Sequence, residues 1–225
     1  MSEGIRKRYA DMYSGIFYRR YVLGEWCAAE GLVYPMFERE CHITESSPPY
    51  DRCFLSCDYG THNPFALGLV SVRHTEKGLC YRLEREFYHD GRKAGQLTDS
   101  QYADRLVEFN GGEGAYVVVD PSASSFIAEL RRRGIEVRKA SNDVHEGIRC
   151  VAAALTEGRL TVSPACTNTI REFSCYSWDI KAAEHGEDRP VKQNDHAMDM
   201  LRYALYSDRR MDGRKERYSG RGIRG

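Results

Sequence analysis

Two aspartates stand where short apolar runs end, which is an unusual place for a charge. Asp58 follows the run 53–57, and Asp120 follows the run 115–119. Short apolar runs bounded by glycine and proline are typical of buried strands. A buried carboxylate is costly unless a partner such as a metal ion pairs with it. If the two strands are neighbours in one sheet, the carboxylates lie side by side, although either aspartate alone could be a turn residue that bonds its own backbone.

A third group of acids lies in the segment Lys-Gln-Asn-Asp-His-Ala-Met-Asp at 192–199. On a helix, His196 and Asp199 are three positions apart and therefore share a face. Asp195 is four positions before Asp199, but it opens the periodic segment, where aspartate commonly caps the first turn of a helix. We therefore expect Asp199 to be a stronger ligand than Asp195. His196 taken alone could equally be a structural residue.

Three or more acids that converge on one spot repel one another, and divalent cations relieve that repulsion. Hard oxygen ligands favour Mg²⁺ or Mn²⁺, and a single imidazole shifts the preference slightly towards Mn²⁺. Two such ions roughly 4 Å apart can activate a water and stabilise the leaving oxygen of a phosphodiester. The pattern thus predicts a site with two divalent cations. Its candidate catalytic and metal-binding residues are Asp58, Asp120, Asp199 and His196, with Asp195 as a weaker candidate.

The elements that must position these residues follow from the periodicity of the chain. Strands are predicted at about 53–59, 66–73, 79–89, 115–120, 135–138 and 159–162. Helices are predicted at 98–110, 126–133, 144–155, 167–176 and 195–206, with polar loops at 90–97 and 179–193. Three strands in a meander are followed by a strand–helix–strand unit and further helices. This order predicts a mixed α/β sheet covered by helices.

The composition divides the chain into three parts. Residues 1–50 mix basic and aromatic residues and end at Ser-Ser-Pro-Pro, which marks a boundary. The regular pattern occupies 51–208. Residues 209–225 are basic, rich in glycine and without an apolar period, so they predict a flexible or interacting tail.

Several functional classes are excluded by composition. The 225 residues are 41% hydrophobic and carry a formal net charge of zero, so any binding to nucleic acid must come from local patches. No apolar run is long enough to span a membrane, and the N-terminus lacks the apolar core of a secretory signal. The scattered cysteines form no Cys-x-x-Cys pair, which argues against a zinc site and favours a reducing, intracellular protein without disulfides.

Three motifs together resemble the nuclease domain of tailed-phage terminase large subunits. They are Asp58 at the end of the first strand, Val-Val-Val-Asp-Pro-Ser-Ala at 117–123, and Asn-Asp-His-Ala-Met-Asp-Met-Leu-Arg-Tyr-Ala-Leu at 194–205, the most specific of the three. Leu-Gly-Glu-Trp at 23–26 with Gly-Leu-Val-Tyr-Pro at 31–35 is similar to the join from that family's ATPase domain. The resemblance covers about residues 18–208.

The resemblance implies a ribonuclease H-like fold and two-metal cleavage of concatemeric phage DNA at the start and end of genome packaging. It implies double-stranded DNA as substrate, with the phage portal and the small terminase subunit as partners. The place of action would be the cytoplasm of an infected or lysogenic bacterial host. By position, Asp58, Asp120 and Asp199 match the catalytic acids of the family, and His196 matches a histidine found in one branch.

One feature of that family is absent from this sequence. Family members begin with an ATPase that carries a phosphate-binding loop, and the chain contains no Gly-x-x-x-x-Gly-Lys-Ser/Thr motif. We therefore expect the nuclease part alone, either as an excised piece or as a truncated prophage gene. Residues 1–50 would then be a connector from the missing ATPase domain. Such a chain should not hydrolyse ATP or translocate DNA unaided.

Phosphate binding near the acids requires cations at their rim. The candidates are Lys181, Arg189 and Lys192, with Arg92 and Lys93 in an earlier loop. We favour the first three because they directly precede the helix of His196, although most of these charges could simply be solvated. Phosphate contacts position DNA without identifying its sequence, so we expect little sequence specificity and binding that weakens as salt rises.

Three other functions remain open from the sequence. Asp58-Tyr59-Gly60-Thr61 fits the Asp-x-Gly-Thr phosphate loop of actin-like or sugar-kinase ATPases. The domain could also belong to another ribonuclease H-like enzyme, such as a junction resolvase or a transposase. A third alternative is a non-catalytic module that docks to a portal.

Overall fold

The centre of the fold is a six-stranded mixed sheet. The computed structural model describes residues 31–60 and 63–219. The strands are β1 (Arg52–Asp58), β2 (Phe65–Thr75), β3 (Gly78–His89), β4 (Val117–Val119), β5 (Val137–Lys139) and β6 (Leu160–Val162). Their spatial order is β5-β4-β1-β2-β3-β6. The first three strands form an antiparallel meander, whereas β4, β5 and β6 each run parallel to their partner, β1, β4 and β3 respectively. The mixed sheet predicted from the sequence is confirmed.

Eight helices flank the described sheet. They are α1 (Arg39–His42), α2 (Gly91–Ala94), α3 (Asp99–Asn110), α4 (Ser124–Arg132), α5 (Val144–Thr156), α6 (Thr167–Phe173), α7 (Ile180–Glu184) and α8 (His196–Ser219). Their boundaries have local causes. Thr98 and Gln101 form a reciprocal capping box that starts α3, and Gly111 ends that helix in a left-handed conformation. None of the described helices is long and apolar enough to cross a membrane.

The sheet separates two hydrophobic cores because side chains alternate between the faces of a strand. One core contains Phe54 of β1 and Leu201 of α8, together with residues of α5. The other contains Leu55 of β1 and Leu106 of α3, together with residues of α4. Asp58 has the same parity as Phe54 in β1 and therefore belongs to the face that α8 covers.

Helix α8 lies close against β1 and β2. The hydroxyl of Ser56 donates a hydrogen bond of 2.8 Å to the carbonyl of Met200, a residue of α8. On β2, a Cβ atom added to Gly68 would lie only 2.7 Å from the sulfur of Met200. A glycine and a small hydroxyl residue thus let the start of α8 approach the strand that ends in Asp58.

Four predicted segments differ from the structure. The polar loops 90–97 and 179–193 contain the short helices α2 and α7. Asp90 caps α2 by accepting a hydrogen bond from the N–H of Arg92, and Asp179 caps α7 by accepting from the N–H groups of Lys181 and Ala182. The helix predicted at 167–176 ends at Phe173. The helix predicted at 195–206 is longer in the structure, since α8 continues to Ser219, and the assignment of 209–225 as a basic tail stays a prediction. Arginine, methionine, lysine and glutamate in this extension of α8 are good helix formers, and their propensity prevailed over the missing apolar period.

The described part of the N-terminal segment packs against the sheet domain. Val33 and Tyr34 are buried in the core under α8, and single β-bridges join Leu32 to Ser177 and Ile43 to Val162. The assignment of 1–50 as a connector stays a prediction. Residues 1–30, including the motif at 23–26, lie outside the described part of the chain, as do residues 220–225 of the tail.

Candidate metal-binding site

The two strand-end aspartates are neighbours. β1 and β4 are parallel, and their register pairs Cys57 with Val119. Asp58 is the last residue of β1, and Asp120 directly follows β4. The carboxyl ends of parallel strands meet at one edge of a sheet, so this register brings Asp58 and Asp120 to neighbouring backbone positions at that edge.

The start of α8 brings an imidazole to the same edge. Nδ1 of His196 lies 2.8 Å from Oδ2 of Asp58, although the two residues are 138 positions apart. Asn194 enters this helix with a φ of 52°, a left-handed conformation that asparagine tolerates better than most residues. Since α8 begins at His196, Asp195 occupies the position where the sequence suggested a cap, and its carbonyl accepts a bond of 2.7 Å from the N–H of Asp199.

One carboxylate oxygen of Asp199 is hydrogen-bonded to Arg202, and the other faces Lys192. Its Oδ1 accepts hydrogen bonds from Nε and Nη2 of Arg202 at 3.2 and 2.6 Å. Its Oδ2 lies 3.6 Å from Nζ of Lys192, which is also 3.7 Å from Oδ2 of Asp195. Asp199 and Asp195 are buried, whereas the side chain of Lys192 is largely exposed. The two oxygens of Asp199 therefore have different surroundings.

Asp120 has hydrogen-bond donors of its own. The backbone N–H of Ser122 donates to Oδ1 at 2.7 Å, and the Asn142 amide donates to Oδ2 at 3.4 Å. Burial by itself would raise the pKa of this carboxyl, but hydrogen bonds from Ser122, Tyr203 and Asn142 outweigh burial and hold the pKa below its ordinary value. Asp120 is therefore a stably ionised carboxylate.

The pKa of Asp58 is raised, in contrast to that of Asp120. Burial raises its pKa to about 6 against the hydrogen bond from His196, and the nearby charge of Asp199 adds to the rise. Burial and the charge of Asp199 also raise the pKa of Asp195. Crowded carboxylates of this kind resist ionisation until a cation shares the space. The electrostatics of the edge thus favour a bound divalent ion.

A cleft of about 320 Å³ opens over this edge. The side chains of Asp58, Asp195, His196 and Asp199 line it, and Asp120 does not. Two of the five candidate DNA-binding residues, Arg92 and Lys192, also line it. Acids and cations therefore share one concave surface.

The other three candidate cations do not line the cleft. Arg189 lies 3.5 Å from Asp179 and 3.8 Å from Glu187, and Lys93 lies 3.5 Å from Asp90. Lys181 is exposed in the first turn of α7. In the cleft itself, Arg92 donates a bond of 2.6 Å to the Asn63 side chain. The sequence favoured three cations, Lys181, Arg189 and Lys192. Of these three, Lys192 alone lines the cleft.

Three further residues at this edge were not singled out from the sequence. Arg202 and Tyr203 follow Asp199 by three and four positions, so helical spacing could have placed them beside it. Tyr203 donates to Asp120 and lies near Asp58 and Asp199 as well. Glu172 had no such signal, because it reaches the start of α8 from another helix, α6.

The donor set suits a divalent cation once its side chains rotate. Among the residues that the structure describes, no three acidic, histidine or cysteine side chains stand in a group that could hold an ion as they are oriented. One physical reason is that two of the candidate ligands, Asp58 and His196, bond to each other. The chemistry nevertheless fits, since hard carboxylate oxygens and one imidazole suit Mg²⁺ or Mn²⁺. Ligation by Asp58 and His196 requires that their mutual bond opens, whereas Oδ2 of Asp199 already faces the cleft.

The strand order and the positions of the acidic residues together define the fold class. A sheet in which an antiparallel meander is extended by parallel strands, with acids at the end of the first strand and on the final helix, is a ribonuclease H-like fold with an acidic edge.

Comparison with known proteins finds similarity to phage large terminases. No family model matches the chain. The terminase large subunit of Escherichia phage T5 is 25% identical over 204 residues, which are 85% of this chain and 45% of that protein. A large terminase of solved structure from a thermophilic bacteriophage is 45% identical with a TM-score of 0.84, over 92% of this chain and 53% of that one. The chain thus spans about half the length of these relatives.

Two isolated nuclease domains share the fold. The large terminase nuclease domain of P22 has a TM-score of 0.62 at 19% identity, over 80% of this chain and 93% of that one. The nuclease domain of the SPP1 large terminase with bound Mn has a TM-score of 0.57 at 20% identity, over 79% of this chain and 99% of that one. The resemblance stated from the sequence is confirmed: structural neighbours of the chain are nuclease domains of phage large terminases.

Proposed function

We propose that this chain is a divalent-metal-dependent endonuclease that cleaves double-stranded, concatemeric phage DNA during genome packaging. The observation that carries the proposal is the convergence of Asp58, Asp120 and the His196–Asp199 turn of α8 at one edge of the sheet. The similarity to terminase large subunits supports the same activity. The related nuclease domains with bound Mn and bound magnesium support the need for a divalent cation.

Asp58 is the natural central ligand. It ends β1 beside β4, which leads to Asp120, and its carboxylate lies near Asp199, so Asp58 would hold a cation together with acids from β4 and α8. His196 holds Asp58 through Nδ1 and becomes available as a ligand when that bond opens. Two Mg²⁺ or Mn²⁺ ions bound here would supply an activated water and a stabilised leaving oxygen.

The remaining residues keep the acids in place and receive the substrate. Tyr203 and the Ser122 N–H hold Asp120 ionised. Arg92 and Lys192 lie in the cleft and can contact phosphate oxygens, while Lys93, Lys181 and Arg189 are outside it. None of these contacts distinguishes one base pair from another, so the proposed cleavage has little sequence specificity.

The proposal extends to partners and place of action. The chain spans about half of the full-length relatives, and the remainder would supply the ATPase domain. The full assembly would include the phage portal and the small terminase subunit, in the cytoplasm of an infected or lysogenic bacterium.

Plasmid digestion tests the activity. Wild type, Asp58→Ala, Asp120→Ala and Asp199→Ala are compared with Mg²⁺, with Mn²⁺ and with EDTA. Each substitution should lower the cleavage rate by on the order of a hundredfold or more, since removing even the outer partners of metal ligands costs about 10–100-fold. Asp104→Ala is the control, because this exposed aspartate contacts Arg133 on the far side of the sheet from α8. Full activity of any of the three site variants, or cleavage that persists in EDTA, would contradict the mechanism.

Two further arms separate the alternative functions. Preferential cleavage of four-way junctions over linear duplex would favour a resolvase. Calorimetric binding of ATP would favour the kinase-like alternative based on Asp58-Tyr59-Gly60-Thr61, whose Thr61 lies outside the described residues. Folded protein that cleaves no DNA under any condition would favour a docking module.

A further inference from the structure

Arg202 is a cation buried beside a proposed metal ligand. Its side chain is 2% exposed, and two of its nitrogens bond to the same oxygen, Oδ1 of Asp199. A buried guanidinium is costly, and replacing a buried ion pair by apolar residues is often neutral or stabilising. Stability alone therefore gives a weak reason for an arginine at this position.

The surrounding fold is shaped around this side chain. Gly147 of α5 faces it, and a Cβ atom there would lie 3.3 Å from Cβ, Cδ and Nη1 of Arg202. The third nitrogen, Nη1, has no hydrogen-bond partner among the described residues, and neither do the buried hydroxyls of Tyr34 and Tyr176. Both tyrosines lie close enough to interact electrostatically with Arg202 and Asp199. Among the described residues, the hydrogen bonds of this arginine both go to Asp199, and its guanidinium also lies 5.4 Å from the centroid of the Tyr203 ring.

The hydrogen bonds from Arg202 give the two carboxylate oxygens of Asp199 different surroundings. Both bonds from Arg202 end on Oδ1, and Oδ2 is left towards Lys192 and the cleft, 3.6 Å from Nζ. Two donors on one oxygen oppose rotation of the carboxylate, and burial makes these charged hydrogen bonds stronger than they would be in water. A carboxylate held in this way presents a single oxygen to the cleft.

We infer that Arg202 is a positioning residue that holds Asp199 with Oδ2 turned towards a bound divalent cation. The inference rests on the proposed function, because it takes Asp199 as a metal ligand. It adds that a buried arginine, on the side of Asp199 away from the cleft, fixes the orientation of this ligand. The Asp-x-x-Arg spacing on α8 is then part of the site.

The test compares two buried arginines. Arg82 is also buried, pairs with Glu84 at 2.9 Å and has an unpartnered Nη1, but it does not line the cleft. Arg202→Met, Arg202→Lys, Arg82→Met and Arg82→Lys are prepared. Binding of Mn²⁺ without DNA is measured by isothermal titration calorimetry, and thermal unfolding is measured in EDTA.

Loss of the partner of a metal ligand typically weakens metal binding by about 10–100-fold. We therefore expect Arg202→Met to bind Mn²⁺ about 10–100-fold more weakly, with Arg202→Lys in between because lysine keeps the charge without the two-nitrogen fork. The Arg82 variants should lose comparable thermal stability and keep wild-type Mn²⁺ affinity. If Arg202→Met does not fold, the comparison of Arg202→Lys with Arg82→Lys decides.

Equal Mn²⁺ affinity of the Arg202 variants and wild type overturns the inference and leaves the proposed nuclease intact. An equal loss of affinity in the Arg82 variants also overturns it, because the effect would then be general destabilisation. A wild-type chain that binds no Mn²⁺ overturns the metal site itself.

Discussion

The buried carboxylate of Glu172 accepts a hydrogen bond of 2.7 Å from the backbone N–H of Ala197, 25 residues further along the chain. The same oxygen accepts from the N–H of Met198 at 3.3 Å, and the other accepts from the hydroxyl of Tyr88 at 2.8 Å. The first N–H groups of a helix have no partner within the helix. Glu172 thus closes the start of α8 from α6 and joins it to a wall of the cleft.

We expect Glu172→Ala to lower the free energy of unfolding by about 2–3 kcal/mol, because it leaves buried donors unpaired. Glu172→Gln should lose less, since its carbonyl oxygen still accepts. Denaturant unfolding measures both. The control is Asp143→Ala, which removes an exposed cap from α5 and should cost about 1 kcal/mol. A loss for Glu172→Ala no larger than for Asp143→Ala would argue against this role.

Asp208 anchors the middle of α8 to the sheet. Arg52 donates to both of its oxygens at 2.9 and 2.7 Å, and the hydroxyls of Tyr81 and Tyr116 lie at 3.2 and 3.3 Å. Asp208→Asn keeps the shape but removes the charge that pairs with Arg52. With Arg52 partly exposed, we expect a loss of about 2–4 kcal/mol in the free energy of unfolding.

The matched control is Asp104→Asn, which breaks an exposed ion pair with Arg133 and should cost less than about 1 kcal/mol. Cleavage measured well below the unfolding temperature should remain close to wild type for both variants. Unchanged stability of Asp208→Asn would show that the anchor is dispensable.

Glu129 gives the fold an acid-sensitive contact. Hydrogen bonds from Arg132 at 2.8 Å and Arg133 at 2.7 Å lower the pKa of this carboxyl from 4.5 to about 2. Because the folded pKa is depressed, the unfolded chain binds the proton first. The stabilisation is therefore fully present above about pH 4.5 and is lost as pH falls towards about 2.

Urea unfolding across this pH range tests the contact. Glu129→Gln should make stability fall less steeply between pH 4.5 and 2 than in wild type. Glu108→Gln is the comparison, since the ion pair of Glu108 with Arg105 is exposed, and its effect on stability should be smaller. If the stability of Glu129→Gln falls as steeply as that of wild type between pH 4.5 and 2, Glu129 is not an acid-sensitive contact.

The two cations that line the cleft should govern the salt dependence of DNA binding. Each phosphate contact contributes about 0.9 to the slope of log K against log salt concentration. We therefore expect Arg92→Ala and Lys192→Ala each to reduce that slope by about 0.9 in duplex-binding titrations in EDTA. Lys77→Ala is the control, because its turn joins β2 and β3 at the strand ends away from the cleft. A slope that changes no more than in the control would exclude phosphate contact by that residue.

Comparison of sequence and structure separates local from long-range information. The strands β1 to β3 and the helices α3 and α5 lie within two residues of their predicted bounds, because alternation, helical spacing and caps are local properties. The short helices α2 and α7 were missed since each is a single turn without an apolar face. The extension of α8 was missed because the prediction followed hydrophobic period and glycine content, while helix propensity decided the outcome.

The sequence alone determined which residues were available for the chemistry. Asp58 and Asp120 end apolar strands, and helical spacing places His196 and Asp199 on one face, so the acids and their approximate elements were readable without the fold. Only the tertiary structure decided which acids meet and what holds them. The parallel register of β1 with β4 and the close approach of α8 at Gly68 bring them to one edge. Contacts such as those of Glu172 cannot be predicted from sequence periodicity, because sheet register and helix packing decide which distant residues meet.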